Sequence, residues 1–216
     1  MEKVYYSSFD SPFLKKVFVA STEKGVCMVD FLTSEKTFLK ELRKYFPGKI
    51  IRDDQKNEAV LSQLKKYLKG KLKRFDCPLD FKGTPFEKKV WSELAKIPYG
   101  QTRSYKEIGQ AIGHSKAFRA VGNANGKNPL SLIIPCHRVI ESNGGLGGFG
   151  HGIKVKKQLL DFSFDSSPIK RPPLKAEGWS DFSQEFVKGH GIFRSLTVVS
   201  SLSAHGQNPP GHHCFQ

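Results

Sequence analysis

Hydrophobic positions in the first third of the chain come in three short runs, Val4 to Phe9, Leu14 to Ala20 and Val26 to Leu32. Each is rich in β-branched and aromatic residues and is bounded by Ser, Gly or Pro, which predicts strands. From Ser34 the period lengthens. Phe38, Leu39, Leu42 and Phe46 share one helical face, and Pro47-Gly48 ends it. Ile50-Ile51 is a short apolar run that fits a strand. Residues 55 to 69 return to helical spacing, with Val60, Leu61, Leu64 and Leu68 inward and lysines on the solvated face. Residues 1–80 therefore read as an α/β domain.

A break near Asp80 to Gly83 opens a mainly helical segment, residues 81–163. Thr84-Pro85-Phe86-Glu87 places Thr at the N-cap, Pro at the first helical position and Glu at the third, a capping box. Phe86, Val90, Trp91 and Leu94 form its buried face, and Ile97-Pro98-Tyr99-Gly100 turns the chain. Ser104-Tyr105-Lys106-Glu107 is a second capping box, with Ile108, Ala111 and Ile112 inward. Gly113-His114 makes a turn, and Ser115 is expected to cap a helix from Lys116 to about Asn125, carrying Ala117, Phe118, Ala120 and Val121. Two short helices joined by a glycine turn predict a helix-turn-helix. The run Leu132-Ile133-Ile134 reads as extended, Val139-Ile140 as a short strand, and Ile153 to Phe162 as a last helix with Leu159-Leu160 inward. Residues 164–216 are rich in Ser, Pro, Gly and His without a sustained period, and predict an irregular tail.

Charge narrows the choice of partner. A formal net charge of +15 and a pI near 9.7 point to a polyanion, nucleic acid first and an anionic membrane second. No apolar run approaches the ~18 residues of a membrane span, and the first residues lack a signal-peptide pattern. The four cysteines, Cys27, Cys77, Cys136 and Cys214, form no CxxC pair. A disulfide framework and a zinc knuckle are not expected, and a reducing compartment is: the cytoplasm, or the nucleus in a eukaryote. Cys27 and Cys77 read as core thiols. His190, His205, His212 and His213, with Cys214, are too irregularly spaced to predict a metal site. The glycine-rich loop Ser142 to Gly152 lacks the GK[ST] ending of a phosphate-binding loop, but it lets a ligand approach the backbone closely.

The chemistry centres on Pro135-Cys136-His137-Arg138. A core position for cysteine does not require His and Arg beside it. Nearby cations or a base favour the thiolate, the nucleophilic form. Cys136 is therefore the candidate nucleophile.

These segments together resemble the O6-alkylguanine-DNA alkyltransferases. The resemblance rests on Gly83-Thr84-Pro85-Phe86 with Val90-Trp91, Ile97-Pro98-Tyr99-Gly100, Thr102-Arg103-Ser104-Tyr105, Arg119-Ala120-Val121-Gly122, Asn128-Pro129, and Ile134 through Ile140. Gly144 through Gly150 and Lys156 through Leu160 extend it. It implies a ribonuclease-H-like N-terminal α/β domain and a mainly α domain whose helix-turn-helix works from the minor groove. It also implies a single-use reaction without a cofactor or metal, in which Cys136 takes an alkyl group from O6 of guanine, or O4 of thymine, in double-stranded DNA. By the same resemblance His137 takes the thiol proton through a water, and Tyr105 helps rotate the nucleotide and hydrogen-bonds the base. Asn128 orders the turn beneath the thiol, and Arg119 enters the duplex as the base turns out. Ser104, Lys106, His114 and Ser142 are implied DNA contacts, and Leu146, Phe149, Gly150 and His151 are implied to line the pocket. The partner is expected to be DNA carrying O6-alkylguanine, engaged by a monomer without a membrane.

Two positions depart: a smaller departure is His151, where many relatives carry glycine and a side chain is expected to narrow the pocket or add a polar contact, and the larger is Ser163. The family's glutamate, which orients the histidine and stabilises its cation, is replaced by Ser163. Serine brings no negative charge, so slower transfer is expected, or recognition of the lesion without transfer. The larger departure coincides with the compositional change after Phe162, as a shifted reading frame or a fusion would give.

Overall fold

The computed structural model describes residues 2–165, all within one compact unit. Strands β1 (Lys3–Ser11), β2 (Lys15–Thr22), β3 (Gly25–Phe31) and β4 (Lys49–Arg52) form a sheet in the order β3-β2-β1-β4. The first three are antiparallel, and β4 joins β1 in parallel after crossing over through helix α1 (Glu35–Tyr45). Both faces of this sheet are covered, which explains why β2 carries apolar residues on either side. Phe18 and Ala20 pack with Phe38 and Leu42 of α1 and with Phe46 just past its end. Val17 and Val19 face the opposite way, toward helix α2 (Glu58–Tyr67) and the second half of the chain. A bulge at Cys27, opposite Ala20-Ser21, leaves Val26 and Val29 in that second cluster.

The second half contains α3 (Pro85–Leu94), β5 (Arg103–Ser104), α4 (Tyr105–Ala111), α5 (Phe118–Gly126), β6 (Val139–Ile140) and α6 (Ile153–Asp165). Both capping boxes form: Thr84 with Glu87, and Ser104 with Glu107. The halves share one core, in which Val17, Val29 and Leu64 join Trp91, Leu94, Ile108, Cys136 and Leu159. Backbone pairing ties them as well. The edge of β3 accepts Leu79, at the end of the first half, beside Val26, and Leu130 of the second half beside Val29, so an edge that would invite aggregation is closed.

Three expectations change. Ser115 caps nothing. Ala117 N–H donates to His114 O across a turn, and α5 begins only at Phe118, leaving that ring half exposed instead of inward. The run at Leu132 is a tight turn rather than extended: Leu132 adopts φ 74°, Ser131 bridges to Ile134, and Ile134 N–H donates to Leu130 O. Helix α6 continues to Asp165 because Phe164 is buried against Leu160 and Ile140. The predicted tail beyond it, with its histidines and Cys214, lies outside the described residues.

Candidate active site

Cys136 begins a single 3-10 turn, Cys136–Arg138, between the Leu130–Ile134 turn and β6. Asn128 clamps the approach. Its Nδ2 donates to Ile134 O at 2.8 Å, and its Oδ1 accepts from Leu130 N at 3.0 Å. These two bonds span the left-handed Leu132, a conformation that costs roughly 1–2 kcal/mol outside glycine. The pairing of Leu130 with β3 holds the same turn from the N-terminal side.

Tyr105 is brought toward the Cys136 turn by a second pairing. Strand β5 runs parallel to β6, with Ser104 opposite Ile140, so the first residue of α4 is placed beside the turn that carries Cys136. The ring of Tyr105 lies between Gly122 of α5 and Gly147 of the loop. A Cβ at Gly147 would stand 2.9 Å from the ring, and its φ of +65° also favours glycine. Tyr105 Oη donates to Gly148 O at 3.2 Å.

Lys156, to which the sequence assigns no role, is fully buried. Its ammonium donates to Val139 O at 2.6 Å, to Gly148 O at 3.2 Å, to Leu146 O, and to Tyr105 Oη at 3.4 Å. The signal was present: Lys156, Leu159, Leu160 and Ser163 follow the i, i+3, i+4, i+7 spacing of one buried face, and a lysine there is anomalous. Burial lowers its pKa to about 8, opposed by the negative charges of Cys136 and Glu141. Arg138, by contrast, turns away from the thiol. It donates to Ile97 O at 2.8 Å and Tyr67 Oη at 3.2 Å and lies over the Tyr99 ring. The cation that serves Cys136 is Lys156.

Burial raises the Cys136 thiol above its usual range, while a hydrogen bond from Asn128, the Lys156 charge and backbone N–H groups pull it down. His137 is fully buried, and neither ring nitrogen has a hydrogen-bond partner among the described residues. Burial first, then the charges of Arg138 and Lys156, hold its pKa well below 6.5. Ser163 is buried on α6 but donates to Leu160 O of its own helix at 2.8 Å. A proton moved onto His137 would therefore meet the charges of Arg138 and Lys156, and among the described residues no carboxylate offsets them.

Beside these residues opens a groove of about 1000 Å3, lined by Tyr105, Lys106, Phe118, Ser142, Phe149 and Gly150 among others. Cys136 is not itself part of that lining. Tyr105 lines the groove, and its phenol, whose pKa burial raises to about 12, is pushed up further by the charges of Cys136 and Glu141. Arg119 projects exposed from α5, with its guanidinium 5.8 Å from the Phe118 ring. His114 is exposed against Phe86. The Ser104 hydroxyl is engaged in capping, bonded to Glu107. Leu146 packs on Ile140, Leu160 and Phe164, and His151 contacts Asp30 and Phe31 of β3; neither lines the groove.

Residues 4–81 match the 6-O-methylguanine DNA methyltransferase ribonuclease-like domain, and residues 85–163 match the DNA binding domain of the same family. The chain belongs to the 6-O-methylguanine DNA methyltransferase family. A Methanosarcina barkeri methylated-DNA–protein-cysteine methyltransferase is 43% identical over 157 residues, covering 73% of this chain and 95% of that protein. An inducible relative of the same name from Bacillus subtilis is 44% identical over 149 residues, covering 67% and 82%. Among solved structures, Mycobacterium tuberculosis OGT in complex with DNA aligns with a TM-score of 0.66 and 37% identity, over 76% of this chain and 95% of that one. The DNA-binding match of this methyltransferase chain ends at residue 163, the position of the missing carboxylate.

Proposed function

We propose that this chain repairs DNA by moving an alkyl group from O6 of guanine to Cys136, once per molecule. The observation that carries the reading is the burial of Cys136, 4% exposed, behind a groove bordered by Tyr105 and the glycine-rich loop. A thiol so placed cannot reach a base that is still stacked, so the nucleotide has to turn out of the duplex. Duplex DNA as partner agrees with the charge of +15 and with the DNA-bound structure of the M. tuberculosis relative. Arg119 and Phe118 at the start of α5, with Lys106, His114 and Ser142, form the surface that would meet it, Arg119 filling the place of the extruded base.

In the transfer, the Cys136 sulfur attacks the alkyl carbon. An S–C bond forms, the C–O6 bond breaks, and its electron pair stays on guanine. The thiol proton passes to His137, and the charge left on guanine is held by a hydrogen bond at its edge until a proton from water neutralises it. Tyr105 is suited to that edge: its phenol stays protonated, and Lys156 donates to its oxygen, sharpening the O–H as a donor. All these residues come from one chain, which supports action as a monomer. A thiol nucleophile acting on DNA suits the reducing cytoplasm or nucleus. Among the described residues no helix is long and apolar enough to cross a membrane.

The test is to incubate the full chain with a duplex oligonucleotide bearing O6-methylguanine and measure intact and peptide masses. One methyl gained on the Cys136 peptide, and none in Cys136→Ala, is expected. Binding without a mass change would leave lesion recognition alone, a reading that the retained thiol and the transferase relatives disfavour.

A further inference from the structure

The glycine-rich loop is held mainly by its own half of the molecule. Glu141 N–H donates to Gly145 O, Lys156 binds the carbonyls of Leu146 and Gly148, and Tyr105 also binds Gly148. All of these act at or before residue 148. Beyond residue 148 a backbone bond, Gly152 N–H to Phe149 O at 3.0 Å, closes a local turn, and the side-chain tie to another part of the molecule comes from the N-terminal sheet. His151 Nε2 and Asp30 Oδ1 of β3 are 2.6 Å apart, and since a carboxylate only accepts, the imidazole N–H donates. The ring stacks on Phe31 at 4.0 Å between centroids and meets Phe149 at 5.2 Å. Asp30 is itself oriented by Phe31 N–H at 2.9 Å. Strand β3 is a firm base, paired with β2 on one side and with Leu79 and Leu130 on the other.

A line of contact thus runs from a rigid strand, through His151, to Phe149, which lines the groove. Without it, Gly148, Gly150 and Gly152 leave this stretch a wide choice of backbone conformations. We propose that Asp30 and His151 form a latch that sets the width of the groove at Phe149, so that the size of the accepted alkyl group is governed from the N-terminal sheet. The inference rests on reading the groove as the seat of the extruded guanine. Both are positioning residues: they act through Phe149.

The test uses the full chain with His151→Gly, Asp30→Leu and the conservative Asp30→Asn, which keeps an acceptor. Amide hydrogen exchange over residues 144–152 reads the loop without any chemistry. It should quicken by about tenfold in the first two variants and stay near wild type in Asp30→Asn. The ratio of transfer from O6-benzylguanine to transfer from O6-methylguanine, in the same duplex, should rise roughly fivefold in the same two variants. The double variant should show no more than either single change, because one contact is lost in each. Unaltered exchange, an unaltered ratio, or effects that multiply in the double variant would overturn the latch. If the wild type accepts no alkyl group at all, the proposed function fails, while the exchange measurement still decides the latch.

Discussion

Replacing Lys156 by Met separates the two roles of a buried ammonium. Its pKa falls from 10.5 to about 8 on burial, which at about 1.4 kcal/mol per pH unit sets roughly 3 kcal/mol against the charged form in the folded chain. Val139 O, Leu146 O and Gly148 O repay that penalty only while the lysine is there. Methionine removes the penalty but strands Val139 O and Leu146 O, at about 1–3 kcal/mol for each one left unsatisfied, while Gly148 O keeps Tyr105 Oη. The balance at pH 7.5 is a variant less stable by up to about 3 kcal/mol. The pH dependence is more telling. Between pH 8 and 10.5 the unfolded chain holds the lysine proton and the folded chain has released it, so wild-type stability rises with pH relative to the variant. Groups common to both proteins cancel in the difference. Urea denaturation at intervals from pH 7.5 to 10.5 should show the wild-type advantage growing by about 3 kcal/mol. A constant or shrinking gap would refute a lysine whose charge is opposed by burial. The variant should also transfer alkyl groups more slowly, because the thiolate loses its facing cation.

Ser163→Glu should speed methyl transfer at neutral pH by roughly tenfold to a hundredfold, since a charged hydrogen bond to the imidazolium is worth about 1.5–3 kcal/mol. Single-turnover kinetics measure it, and an unchanged rate would mean that His137 does not carry the thiol proton. Tyr67→Phe removes a hydroxyl that accepts from Arg138, whose Nε already has no hydrogen-bond partner among the described residues. The denaturation midpoint should fall by the equivalent of about 1–3 kcal/mol, with transfer per folded molecule unchanged. Slower transfer would place Arg138 in the chemistry instead of in the join between the two halves.

The sequence by itself determined the local elements and singled out the candidate nucleophile. Short β-branched and aromatic runs located the strands, period-3.6 spacing located the helices, the two capping boxes placed the starts of α3 and α4, and Cys136 stood out through its neighbours. Where a local signal was weak, it misled: Ser115 has the right chemistry for a cap, but the turn closing on His114 O uses the backbone otherwise. The tertiary structure alone decided which charges face the thiol. Arg138 is adjacent in sequence yet turns toward Ile97 and Tyr67, whereas Lys156, twenty residues on, is brought in by the packing of α6. It also decided that β3 supports the active-site turn at Leu130 and the loop at His151. Such facts escape a reading along the chain because they depend on pairings between distant segments. A capping box is settled within four residues, but the partner of a buried charge is settled only when the core closes around it.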